Sequence, residues 1–257
     1  PFRDRVVHHA LCGVCSPILE RRFIADSFAC RRGKGVHSAI VRAQEFSRRF
    51  RYALRLDLAK YFDSIRHDIL EGLLRHVFRE SKLCSLWSVI IRHGAADGRI
   101  GLGLPIGNLT SQWLANGYLD AFDHSVKEDL RIQAYARYMD DLAVWENDKE
   151  VLWEVRDWAE DWLWEQRKLR LKAEATRVVR VRDGVPWLGT RVYPDCVRIA
   201  GSSLRRSRAK LRSRMRRVVS GEIDSAAMQR SARAIVSRFA LWGCRNLVNR
   251  GTFEYET

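Results

Sequence analysis

Leu54, Leu56 and Leu58 alternate with Arg55 and Asp57, a period of two that predicts a strand with one buried face. Upstream, Val6, Val7, Ala10, Leu11 and Val14 recur at helical spacing and predict a helix over residues 3–24. Residues 27–35 read as a strand running into a basic glycine loop, and a helix is expected from Val36 to Phe50. Asp63 or Ser64 can cap the next helix, whose inner face would carry Ile65, Ile69, Leu70, Leu73 and Val77. A further helix is expected over 81–93, after which Gly98, Gly101, Gly103, Pro105 and Gly107 break the chain. The pattern then predicts one helix from Leu109 to Leu130 and two short strands around a turn within Tyr135–Trp145. Residues 148–168 form an amphipathic pattern with Val155, Trp158, Ala159 and Trp162 on the packed side. Short strands follow near 177–182, 186–193 and 196–199, and the chain from Ser202 onward is helical and basic. Strand, helices, hairpin, helix and strand in that order predict an α+β fold, an antiparallel sheet with helices packed on one face.

Composition narrows the class. The 257-residue chain is 46% hydrophobic, enough for a sizeable core, and its formal net charge of +15 should attract polyanions. Segment 205–217 concentrates eight Lys or Arg and no acid, and that density of like charge calls for neutralisation by a polyanion. No apolar run approaches the ~20 residues needed to span a bilayer, and no secretory signal is visible. A cytoplasmic protein with no membrane partner is expected. Pro1 at the start predicts a fragment of a longer chain. Cys12-Gly13-Val14-Cys15 has half the spacing of a zinc knuckle but no second pair at ligand distance, so small buried helix residues are the better reading. The other cysteines, Cys30, Cys84, Cys196 and Cys244, are scattered as in a reduced compartment.

The chemistry is in the acids. Asp140 and Asp141 are adjacent at a turn between two apolar strands, where like charges repel and neither gains from a hydrophobic face. A hard divalent cation resolves that repulsion, because Mg²⁺ prefers carboxylate oxygens and leaves positions open for phosphate. Asp57 lies on a strand that could neighbour the hairpin. Three such carboxylates can hold two metals about 3.5–4 Å apart, as in an in-line displacement at phosphorus.

Tyr138-Met139-Asp140-Asp141 resembles the YxDD box of reverse transcriptases. Leu54–Phe62 resembles their first aspartate motif, and Leu104–Gln112 the segment between the two, in the same order. Ser27–His37 is similar to the upstream fingers motif and Trp187-Leu188-Gly189 to the primer grip. The resemblance implies a right-hand polymerase: fingers over 1–53, a palm over 54–199 with part of the fingers (64–106) inserted, and a helical thumb over 200–257. It implies an RNA-directed DNA polymerase in which Asp57, Asp140 and Asp141 hold two Mg²⁺, with Mn²⁺ as a substitute. Phe62 would exclude a ribose 2′-OH. Phe62, Ile106, Gly107 and Gln112 would meet the dNTP, with Arg31 and Lys34 supplying positive charge. Arg205, Arg206, Arg208, Lys210 and Arg212 would meet the RNA template and its DNA or RNA primer.

Ile106-Gly107 and Ser111-Gln112, where most reverse transcriptases have Gln-Gly and Ser-Pro, resemble the enzymes of diversity-generating retroelements. Those bacterial, archaeal or phage-encoded enzymes make adenine-mutated cDNA for mutagenic retrohoming, with a basic accessory variability protein. Two departures stand out. The family's basic Lys/Arg-Pro-Arg segment is absent before Pro1, and Ala175 replaces a lysine common in the later palm motif, with Lys172 a weak substitute. The alternatives are a group II intron-like or defence-associated reverse transcriptase, and a non-catalytic RNA-binding scaffold of the same fold.

Overall fold

A computed structural model describes residues 2–93 and 100–240. Gly98, Cys244 and the end of the expected thumb lie outside the described residues. The order of elements is α1 (Phe2–Glu20), α2 (Val36–Arg49), β1 (Tyr52–Asp57), α3 (Tyr61–Ser64), α4 (His67–Val77) and α5 (Ser81–His93). There follow α6 (Leu109–Tyr118), α7 (Asp120–Glu128), β2 (Tyr135–Tyr138), β3 (Asp141–Glu146), α8 (Lys149–Arg167) and β4 (Arg177–Arg180). A small meander of β5 (Val185–Trp187), β6 (Thr190–Val192) and β7 (Val197–Ile199) leads into α9 (Gly201–Val219) and α10 (Ser225–Ala240).

The main sheet is antiparallel with strand order β2-β3-β1-β4. Side chains alternate across it, and the two faces have different cover. Leu54, Leu56, Leu142, Val144 and Tyr135 point into a large core with Phe122 of α7 and Leu152, Ala159 and Leu163 of α8. On the other face Ala53, Ala143 and Trp145 pack with Ile40 and Phe46 of α2 and with Trp187 of the small sheet. That second cover stops short of the strand ends, and Asp57 and Asp141 lie beyond it, half-exposed. Burial of one end and exposure of the other leaves this face of the sheet open at the strand ends.

Several expectations need correction. The α1 stripe is rotated: Leu11, Cys12, Cys15 and Leu19 are buried, whereas Val14 is 70% exposed. α1 packs on α6 through its C-terminal half, and the small cysteines permit the close approach. Residues 27–35 are not a strand. Ser27 makes one parallel bridge to Arg137, and the left-handed Cys30 (φ 56°) turns the chain off the sheet edge. Neither Asp63 nor Ser64 caps α4, because both lie within the short α3; the α4 N-cap is Arg66, with no side-chain cap. The inner face of α4 is led by His67, Leu70, Glu71 and Leu74. The helix over 109–130 is broken at Leu119, and α7 restarts with Asp120 and Asp123 in its first turn, where negative charge favours a helix start. The strand expected over 186–193 is a hairpin. Leu188 (φ 46°) and Gly189 (φ 81°) both take the left-handed values that a tight two-residue turn demands.

Trp187 anchors that hairpin. It is fully buried, edge-on to Trp145 at 6.3 Å between ring centroids. Trp187→Ala should destabilise the protein by about 3–5 kcal/mol, measured by urea denaturation. A loss below about 1 kcal/mol would show that the small sheet does not depend on this ring.

Candidate active site

Strand pairing brings the three acids together. Asp57 and Asp141 are direct cross-strand partners at the ends of β1 and β3. Tyr138 pairs with Asp141 across β2 and β3, leaving Met139 and Asp140 as a two-residue turn. Met139 takes φ 55°, a conformation that costs a side chain of this kind about 1–2 kcal/mol. It persists because the surroundings fix it. On the opposite face of the sheet, fully buried Arg137 donates to the Met139 carbonyl at 3.3 Å.

Arg137 is the hub of this support. Its guanidinium makes a fork-to-fork pair with the buried carboxylate of Asp123, with contacts of 2.6–2.9 Å. The Tyr135 hydroxyl donates to the same carboxylate at 2.6 Å. Arg137 also donates to the Asn116 side chain and carbonyl, and Asn116 in turn donates to the Ala29 carbonyl at 2.6 Å. The Arg137 backbone exchanges hydrogen bonds with Asp26 and Phe28. One charged residue therefore ties the β2–β3 hairpin to α6, α7 and the segment after α1. Its signal in the sequence was an arginine within an otherwise apolar strand.

The open face is electrostatically strained. Desolvation, then the nearby Asp141, pushes the Asp57 carboxyl above the ordinary carboxylate range, with Arg55 and Lys172 opposing. Desolvation also raises Asp140, its own backbone amide opposes, and Asp141 and Asp57 add repulsion. Arg55, also missed as a site residue, forms an ion pair with Asp141 and lies 4.0 Å from Asp57. Among the described residues no three His, Cys, Asp or Glu side chains are arranged as a metal cluster. The donor set nonetheless fits hard divalent ions. The acids are paired in register, Asp57 and Asp141 are 26% and 27% exposed, and Arg55 is the strongest local counter-charge.

The other expected residues separate into groups. The Leu104 amide donates to the Phe62 carbonyl and the Gly103 amide to that of Ile65, both at 2.8 Å, so the segments bearing Ile106 and Phe62 are stitched together. Ile106 is 82% exposed, Gly107 takes φ 105°, and the Gln112 side chain accepts from the Cys30 thiol at 3.1 Å. Arg31 corrects the expectation of a triphosphate contact. Its side chain is 6% exposed, paired with Glu20 and donating to the carbonyls of Ile24 and Ser27, so it braces the loop. Lys34 donates to the Ala25 carbonyl and lies over the Phe28 ring. Trp187 faces the core, leaving Leu188 and Gly189 at the hairpin tip. Arg206 and Lys210 line the groove between α9 and α10 with Arg214 and Arg230, whereas Arg205, Arg208 and Arg212 are exposed outside it.

The raised Asp140 value has a definite sign. The unfolded chain releases this proton at the ordinary carboxylate pH and the folded chain only at higher pH, so stability falls as pH rises between the two and stays lowered above them. In chelator, Asp140→Asn should melt above the parent at neutral pH and match it below the carboxylate range. Parallel pH profiles for the two proteins would contradict the repulsion described.

The chain is 28% identical over 234 residues to protein YkfC of Escherichia coli, covering 74% of this chain and 61% of that one. It is 25% identical over 126 residues to a COX1/OXI3 intron 2 protein of Saccharomyces cerevisiae, covering 47% and 15%. It therefore spans less than two thirds of these relatives. Telomerase of Candida tropicalis shares its fold: the apo form truncated of its C-terminal domain superposes with a TM-score of 0.57 at 12% identity over 74% of this chain and 45% of that one. The complex with a fragment of telomeric RNA gives 0.56 at 12% identity over 98% and 47%. The α+β architecture is thus that of right-hand polymerases. Residues 2–192 match the family described as reverse transcriptase (RNA-dependent DNA polymerase), and the chain belongs to that family.

Proposed function

We propose that this protein copies RNA into DNA, joining a primer 3′-hydroxyl to the α-phosphate of a dNTP and releasing pyrophosphate. The observation that carries this reading is the pairing of Asp57 with Asp141 at the open end of the sheet, with Asp140 on the adjoining turn. These three carboxylates would hold two Mg²⁺, or Mn²⁺. When bound, such ions supply activation of the primer hydroxyl and neutralisation of the leaving pyrophosphate. The protein's own contribution is positioning. Phe62, fixed beside the Ile106 segment, would exclude a 2′-hydroxyl, and Gly107 and Gln112 would line the same approach. Leu188 and Gly189 would touch the primer, and Arg206 and Lys210 the nucleic-acid phosphates, with Arg205, Arg208 and Arg212 adding long-range attraction. Residues 1–53, 54–199 and 200–257 would act as fingers, palm and thumb. Among the described residues no helix is long and apolar enough to cross a membrane.

The finer reading is a diversity-generating retroelement enzyme working with a basic accessory protein. It rests on Ile106-Gly107 and Ser111-Gln112, and the exposed Ile106 offers shape where a glutamine would offer a directed hydrogen bond. Similarity to the yeast intron 2 and intron 1 proteins favours a second reading, an intron-type reverse transcriptase. A binding scaffold without activity is disfavoured by the intact carboxylates.

Primer extension on a defined RNA template, with sequenced cDNA and the full-length protein, tests all three. Asp57→Asn should lower incorporation on the order of 100-fold or more while preserving the fold. Near-normal extension by that variant would refute the catalytic reading. In the parent, errors should concentrate opposite template adenine, and Ile106→Gln should reduce them by about tenfold, the worth of one directed contact. Equal error at all template bases would favour the intron-type reading.

A further inference from the structure

Arg55 lies on the open face of the sheet, on the same side of β1 as Asp57 and one alternation behind it. Its direct cross-strand partner on β3 is Ala143, too small to cover it, and Asp141 is the diagonal neighbour one step further along. On β4 its direct partner is Arg177, a like charge that disfavours a guanidinium turned that way. Lys172, whose backbone amide donates to the Asp57 carbonyl at 2.7 Å, adds positive charge at the strand end. The one direction with opposite charge is toward the acids. There Arg55 Nη2 donates to Asp141 Oδ1 and stands 4.0 Å from Asp57 Oδ2. Its Nε is buried and without a hydrogen-bond partner, so among the described residues Asp141 is the group that accepts a hydrogen bond from this side chain.

Cation and carboxylate are not in the arrangement that a loaded polymerase site requires. A lone pair of Asp141 that accepts from Arg55 is unavailable to a divalent ion, and two positive charges on one carboxylate repel. Removing Arg55 altogether would leave Asp57, Asp140 and Asp141 facing one another with only Lys172 for relief.

We propose that Arg55 is a resident counter-cation of the metal site. It holds Asp141 when no divalent ion is bound, and metal binding displaces it. It thereby sets the concentration at which the site loads and keeps the metal-free palm from repelling itself apart. Arg55 is a positioning residue in this account, acting through Asp141. The inference rests on the assignment of Asp57, Asp140 and Asp141 as metal ligands, and the experiment separates the two.

Mn²⁺ binding to the full-length protein, without nucleic acid or dNTP, can be followed by the electron paramagnetic resonance signal of the free ion. Melting is measured in parallel in chelator. Arg55→Met should bind Mn²⁺ about tenfold more tightly than the parent, the worth of one charge-assisted hydrogen bond no longer broken on loading. It should also melt lower in chelator and gain more on adding metal. Arg55→Gln removes the same charge with a polar stem, and should shift affinity in the same direction if the methionine variant does not fold. A merely structural arginine would leave affinity unchanged or weaken it on substitution, and either result would overturn the proposal. Asp57→Asn is the control for the underlying assignment. If it abolishes Mn²⁺ binding while the Arg55 variants bind like the parent, only the role of Arg55 fails. If the parent and Asp57→Asn bind alike, the metal-site assignment fails, and this inference with it.

Discussion

The buried ion pair between Arg137 and Asp123 is the constraint on which the site depends. Two charges removed from water carry a desolvation penalty of several kcal/mol each, offset here by a fork-to-fork geometry and by hydrogen bonds from Tyr135 and to Asn116. An apolar pair of similar volume could fill the same space. It could not reach the Met139 carbonyl on one side and Asn116, which in turn donates to the Ala29 carbonyl, on the other. The pair thus gives position to a strained two-residue turn, and the turn gives position to Asp140 and Asp141.

The two faces of the palm sheet divide the work. The side covered by α7 and α8 is largely apolar around this network, and it supplies rigidity. The open side grades from Ala53 and Trp145, sealed under α2, through half-buried Arg55 to the exposed acids. Two acids there are raised by desolvation and mutual repulsion. Such a site is less stable than a neutral surface would be, and acids perturbed in this way are candidates for a functional site. Basic residues concentrate on α9 and acids at the strand ends, so the two regions carry opposite charge.

What the sequence made legible follows the range of the interactions. The alternation at Leu54–Leu58 and the turn at Met139-Asp140 are local patterns, and strand β1 and the β2–β3 hairpin stand where those patterns predict. That the Asp57 strand neighbours the hairpin was open from the residues alone and implied by the family resemblance, and the register pairs Asp57 with Asp141. The α1 stripe was misread because its packed side is chosen by α6, nearly a hundred residues away, and no local period records that choice. The break at Leu119 had a cue in Gly117 and the acids of the next turn, outweighed by a continuous apolar pattern on either side. Arg31 was misassigned because a basic residue in a glycine loop fits a phosphate contact as well as it fits a brace, and only its contacts with Glu20 and two carbonyls decide. Arg55 and Arg137 were passed over for opposite reasons. One alternates as an exposed strand residue should, and the other interrupts a buried strand, the stronger sign of function.

A double-mutant cycle on Arg137→Met and Asp123→Asn, read by urea denaturation, tests the supporting pair most directly. Each single substitution should cost about 3–5 kcal/mol, because it strands the other group without its partner in the core. The double variant should cost less than the sum by about 2–3 kcal/mol, at the upper end of coupling for residues in one network. Costs that add would contradict the account, since they would mean that Arg137 and Asp123 stabilise the β2–β3 hairpin independently, or not at all.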